Sequence, residues 1–269
     1  MHPINFYLSG VISADFPGEA ARYVDELFDN RTVAVFSQGA SGDQNPRLAF
    51  SPSYIMRSRQ RLGTPQTVAP PAPPSENRTA QGFNAAAAGS SRGAIPPENL
   101  EAYKKAIART GEYVVMLGQM IGTTAVRLMR EEIKPVDRAA IWGGQQRFTC
   151  PGRERLDAAN PARENVFPGY KDGPDVNLKV GLLRIGDINF VTVNGEVYSK
   201  IALKLKDAAP ASKTIVVTLA NGAANSGYIY SDDAYSHLSF QVIGSRLKPG
   251  CAEGQIISTA VDLMHKAGE

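Results

Sequence analysis

Residues 182–205, LLRIGDINFVTVNGEVYSKIALKL, constrain the fold more than any other stretch. Leu182, Leu183 and Ile185 run into Gly186-Asp187, a turn pair. Ile188, Phe190, Val191 and Val193 then form a mostly apolar run, as in a strand buried on both faces. Asn194-Gly195 stops it. Val197, Ile201 and Leu205 recur at the spacing of a helix's core stripe. A hairpin feeding a helix places Glu196 in the first helical turn, at the end of a buried strand. Strand ends in α/β proteins are where chemical groups collect. A carboxylate there also complements the helix dipole without any chemistry, and both readings stand at this point.

The chain has 269 residues, enough for one large domain or two small ones with a real core. Its apolar and charged fractions are those of a soluble globular protein. A net charge of +3 with no Lys/Arg run argues against nucleic-acid binding. No apolar run reaches membrane-spanning length. Met1-His2-Pro3 leads into Ile4–Leu8 without the basic start and long apolar core of a signal peptide. A signal lost from a fragment stays open. Cys150 and Cys251 are too few for a disulfide scaffold, and one bridge or two thiols are both open. The sequons at Asn30 and Asn77 matter only in a protein secreted from a eukaryote.

Residues 4–12 read as a short strand and its exit. Asp15-Phe16-Pro17-Gly18 starts a helix whose apolar spacing lasts to about Asp29. Residues 32–36, TVAVF, read as a short buried strand, and 37–47, SQGASGDQNPR, as the polar loop after it. Helix, strand, then glycine-bearing loop is the order of an α/β unit. Residues 62–97, rich in Pro, Ala, Gly and Ser, read as a disordered insertion within one domain or equally as a linker between two, the insertion being preferred because residues 12–61 are too few to complete a domain of their own. From Pro97 a long helix runs to about Ile133, with Gly111, Gly118 and Gly122 either admitting a close neighbour or breaking it. Residues 139–142 suit a strand, 143–175 look loop-rich, and Trp142 is assigned to the core. Residues 214–219 give another buried strand, followed by a loop bearing Tyr228, Tyr230 and Tyr235. Residues 253–266 close the chain as a helix.

Polar groups thus gather at strand ends, in the 37–47 loop, at Glu196 and in the 220–235 loop, with His2 before the first strand. Several motifs together resemble the neutral/alkaline (non-lysosomal) ceramidase family, in the second half of its catalytic domain. They are His2-Pro3, Ser13-Ala14-Asp15-Phe16-Pro17-Gly18-Glu19-Ala20-Ala21, Gln38-Gly39-Ala40-Ser41-Gly42-Asp43-Gln44-Asn45-Pro46, Asn194-Gly195-Glu196, Leu219-Ala220-Asn221 and Gly227-Tyr228-Ile229. Pro249-Gly250, Glu253 and the last helix also fit. The resemblance covers most of the chain except 62–97.

The resemblance implies a zinc ion held by two His, one Glu and one Tyr, with His2, Glu196 and Tyr228 on three of those positions. Such nitrogen and oxygen donors suit four-coordinate zinc. The resemblance further implies Asp15 or Asp43 as acceptors around the ligands, and a catalytic group drawn from Asn45, Asp43 and Tyr228. The family's first zinc His belongs to an upstream region this chain lacks, so the resemblance implies a truncated, partial catalytic domain over residues 1–269. Where the family carries its catalytic serine, before a proline, this chain has Asn45. A carboxamide cannot become an acyl-accepting nucleophile but can orient water or donate to an oxyanion. Water, rather than serine, is then the expected attacking group. Ser37 and Ser41 lie off the matching position. A family tyrosine twelve residues after the zinc Tyr falls on Phe240, and His237 and His265 match no motif.

The expectations are therefore an α/β fold of mixed β-sheet layers flanked by helices, with the site at strand ends. The implied activity is hydrolysis of the N-acyl amide of ceramide to a fatty acid and a sphingoid base, with Zn2+ as cofactor. A ceramide-like lipid partner, peripheral membrane contact and a secreted or periplasmic location follow from the same resemblance. The alternatives are a catalytically silent or fragmentary ceramidase-like domain with a binding role, or a related zinc hydrolase of another amide or ester.

Overall fold

The structure, a computed structural model, describes residues 2–3, 13–45, 98, 100–157, 167–210, 213–222 and 224–268. The expected first strand at 4–12 and the insertion at 62–97 lie outside the described residues. The chain divides into two compact units, one helical and one built on a sheet.

The helical unit pairs α1 (Asp15–Leu27) with α2 (Leu100–Glu131). Phe16, Ala20 and Val24 are the buried stripe of α1. α2 runs unbroken through its glycines because two of them form the contact with α1. A Cβ on Gly118 would lie 2.5 Å from Cβ of Glu19, and one on Gly122 would lie 2.7 Å from a ring carbon of Tyr23. The strand expected at 32–36 does not form. Val33 and Val35 are exposed, Phe36 stands edge-on to Phe16 at 6.1 Å, and Asp25 accepts a 2.9 Å hydrogen bond from the Ala34 amide. Alternating apolar residues form a strand only beside a partner, and the Asp25 carboxylate takes the place a ladder would have filled.

The sheet unit contains β1 (Ile141–Arg155), β2 (Tyr170–Ile185), β3 (Ile188–Val193), β4 (Glu196–Val197), β5 (Thr214–Val217) and β6 (Tyr228–Ile229). Four strands form one mixed sheet in the order β1-β2-β3-β5, and β4 and β6 form a second. β1, β2 and β3 run antiparallel, with Leu182 opposite Val191 and Val180 opposite Val193. β5 lies parallel to β3, reached through α3 (Ser199–Ala208), as a parallel crossover requires. A 3-10 turn (Asp232–Ser236) and the short α4 (Phe240–Gly244) precede α5 (Ala252–Lys266), which packs on β1, β2, β3 and α3. Val180, Leu182, Val191, Val193, Ile201, Leu205, Ile229 and Ile256 share the core. Each such side chain contributes roughly 1.5–3 kcal/mol when fully buried. This is the α/β architecture expected.

Three local expectations are corrected. The described residues of 143–175 are mostly strand: β1 and β2 pair antiparallel in a register that runs from Ile141 opposite Ile185 to Arg155 opposite Tyr170. The Gly-Gly-Gln-Gln-Arg stretch has little strand character of its own, so pairing with β2 decides it. β3 is buried on one face only, with Asn189, Val191 and Val193 inside and Ile188, Phe190 and Thr192 half-buried. Trp142 is likewise half-buried at the core's edge. Cys150 and Cys251 form a disulfide, Cα atoms 5.7 Å apart, joining β1 to the start of α5 across 101 residues of sequence.

Candidate functional site

The helix expected to begin at Glu196 begins at Ser199 instead. The backbone of 196–197 is taken up by β6: Glu196 pairs with Tyr228 and Val197 with Ile229, and the Tyr198 amide donates to the Ile229 carbonyl at 2.9 Å. Glu196 therefore sits on a strand rather than in a first helical turn.

Pairing in parallel register sets the side chains of Glu196 and Tyr228 next to each other, and the phenol donates a hydrogen bond to the carboxylate. Burial pushes the Glu196 carboxyl up to about 7, and the Tyr228 hydrogen bond partly offsets it. No salt bridge among the described residues reaches Glu196. Tyr228 is held from behind. Phe240 stands edge-on to its ring at 5.7 Å, and the Ser245 hydroxyl donates to its carbonyl at 2.7 Å.

The 37–45 segment runs over this joint. The Gly42 amide donates to the Val197 carbonyl at 2.8 Å. A Cβ at Gly42 would come within 3.0 Å of the Glu196 carbonyl oxygen, so glycine permits the approach. Asp43 accepts from the Ser199 amide and the Ser199 hydroxyl, both at 2.8 Å. It caps α3 from a distant part of the chain, which Tyr198, at the N-cap, does not do for itself. The backbone amide of His2 donates to the Gln44 carbonyl at 3.2 Å, anchoring the imidazole-bearing residue beside this loop, half-buried. Asn45 is exposed, one residue on.

The structure thus brings Glu196 and Tyr228 into contact, ties the backbone of His2 to the 37–45 segment, and holds that segment on Ser199 through the Asp43 carboxylate. Ser41 is buried and accepts from Gln38 at 3.0 Å, while Ser37 is exposed. His237 and His265 lie on the surface. Asp15 belongs to the helical unit, where its carboxylate accepts from the Phe16 amide at 2.6 Å. Among the described residues no three His, Cys, Asp or Glu side chains converge on one point. The partnership of Ser199 with Asp43 carries no signal in the sequence, since 156 residues separate the two.

No protein-family profile matches the sequence, and no curated protein matches it. A solved structure, neutral ceramidase from Pseudomonas aeruginosa, does match, with a TM-score of 0.52 at 12% identity, over 97% of this chain and 43% of that one. The fold is ceramidase-like. This chain spans less than half the length of that ceramidase. Among the described residues no helix is long and apolar enough to cross a membrane.

Proposed function

We propose that this chain is a zinc amidohydrolase that cleaves the N-acyl amide of ceramide to a fatty acid and a sphingoid base. One observation carries the reading: a buried carboxylate, Glu196, has a phenol as its hydrogen-bond partner and no ion-pairing cation among the described residues. A divalent cation beside it would restore the ionised form that burial disfavours. The donor set fits zinc in kind, with a carboxylate, a phenol and, from His2, an imidazole anchored by its backbone to the loop across them. Zinc, when bound, supplies Lewis acidity toward an amide carbonyl and toward water.

The remaining chemistry belongs to the chain. Glu196 and Tyr228 hold one side of the site. Asn45, at the exposed end of the Asp43-anchored loop, presents its amide N–H groups to the oxyanion that develops on the acyl carbon. Asp43 fixes that loop through Ser199 rather than exchanging protons. Water adds to the acyl carbon, the C–N bond breaks, and the water proton ends on the sphingoid nitrogen. The Tyr228 phenol relays it, giving its proton to the nitrogen and regaining one from the water. Exposed Phe240, which stands edge-on to Tyr228, and exposed Leu238 two positions before it suit an acyl chain or a membrane surface. In this reading both units belong to one partial catalytic domain.

Turnover of a fluorescent ceramide by the full chain, abolished in Glu196→Ala, is the test. Turnover that survives the substitution overturns the assignment. A silent, binding-only domain is favoured by Asn45, which stands where the ceramidase family carries its catalytic serine. It predicts that ceramide is bound without being cleaved.

A further inference from the structure

Two clefts adjoin on the sheet unit, of about 290 and 210 Å³. Asn177 and Asn194 line both and form the divide between them. The larger cleft adds Asp175 and Arg246, the smaller Arg147 and Lys179. No aromatic side chain lines either one, and none of the residues named belongs to the proposed hydrolytic set.

The polar groups here are unusually uncommitted. Asn194 is 8% exposed. Its Oδ1 accepts from the Lys179 amide at 2.8 Å, which holds the carboxamide in place. Its NH2 has no hydrogen-bonding partner among the described residues and remains available at the divide. Asn177 accepts from the Thr149 hydroxyl at 2.8 Å and likewise keeps its NH2. Neither Arg147 nor Asp175 is in an ion pair among the described residues, and Arg246 has only Glu154 at 3.8 Å. Lys179 donates to the Asn221 carbonyl at 3.2 Å, so its ammonium is held over the smaller cleft.

We infer that the paired clefts bind an acidic oligosaccharide, one sugar unit to each cleft, with a carboxylate or sulfate at the Arg147–Lys179 end. Carboxamides fixed at the divide both donate and accept, which matches neighbouring ring hydroxyls. Guanidinium groups bind carboxylate or sulfate through paired N–H donors. Asp175 accepts from hydroxyls of the unit in the larger cleft, and Arg246 in the same cleft faces that unit's acidic group. Without an aromatic platform, neutral sugars that rely on ring stacking gain little here. The two volumes suit small polar units rather than a lipid chain.

The test is calorimetric titration of the full chain with a heparin-derived tetrasaccharide, alongside the disaccharide, uncharged maltotetraose and inorganic sulfate. Saturable 1:1 binding is expected, with the disaccharide keeping most of the tetrasaccharide's affinity because two units fill the two clefts. Arg147→Gln and Asn177→Ala, both at exposed positions, should each weaken it about tenfold. A surface control, Lys206→Gln, should leave it unchanged. Absence of saturable binding overturns the proposal. So does equal binding of sulfate alone, or an equal loss in Lys206→Gln, which would mark general attraction to a basic protein. The measurement needs neither zinc nor turnover, so its outcome is independent of the hydrolase reading.

Discussion

The phenol of Tyr228 donates a hydrogen bond to the carboxylate of Glu196, across a parallel pair of two-residue strands. The hydrolytic reading of this chain depends on that contact. It arises because β4 and β6 pair in register, while the Asp43 loop closes over the same joint.

Tyr228→Phe removes a hydrogen bond that favours the ionised carboxylate. In metal-free protein the Glu196 midpoint should rise above its value of about 7. Carbon-13 NMR of labelled glutamate reads this directly, and an unchanged or lower midpoint counts against the contact.

The raised Glu196 midpoint also sets the sign of a stability effect. The folded state holds this proton to higher pH than the unfolded chain, whose ordinary value is 4.5. The group's contribution is fully present below 4.5 and is lost as pH rises through about 7. Denaturant unfolding of metal-free protein should show wild type losing stability relative to Glu196→Gln between pH 5 and pH 8. A difference that stays constant, or moves the other way, contradicts it.

Asp43→Ala removes both acceptors from the start of α3. Loss of a helix cap costs about 1–2 kcal/mol, which should appear as a lower denaturant midpoint with the slope unchanged. Asp43→Asn, which keeps one acceptor, should lose less.

In the helical unit, two glycine substitutions should have opposite signs. Gly111→Ala meets open space and gains helix propensity, up to about 1 kcal/mol. Gly118→Ala drives a methyl group against Glu19 and should cost about 1–3 kcal/mol, exceeding that gain. Thermal unfolding followed by circular dichroism compares them.

Much of the sheet unit was legible in the sequence. The Gly186-Asp187 turn, the β3 run and the helix carrying Ile201 and Leu205 appear where their spacing put them, because local pattern and tertiary burial agree there, whereas Val197 is buried from β4 rather than from the helix. The misreadings fall where a distant partner decides. Residues 143–155 become strand only by pairing with β2. Residues 32–36 have strand spacing but no strand to pair with, and Asp25 holds them. Glu196 lies one element earlier than its spacing predicts, since its two-residue strand is defined by Tyr228, 32 positions on in the numbering. At the site, the resemblance named Glu196 and Tyr228, and the structure sets them in contact. The capping of Ser199 by Asp43 needed coordinates, because no local pattern encodes an acceptor supplied from so far away.

Zinc titration into metal-free full-length chain, followed by calorimetry, asks most directly whether His2, Glu196 and Tyr228 share one ion. One site per chain is predicted, with affinity falling about 100-fold or more in Glu196→Gln and again in His2→Ala, as expected when a direct ligand is lost. Zinc that fails to bind, or binds equally well to both variants, would contradict it.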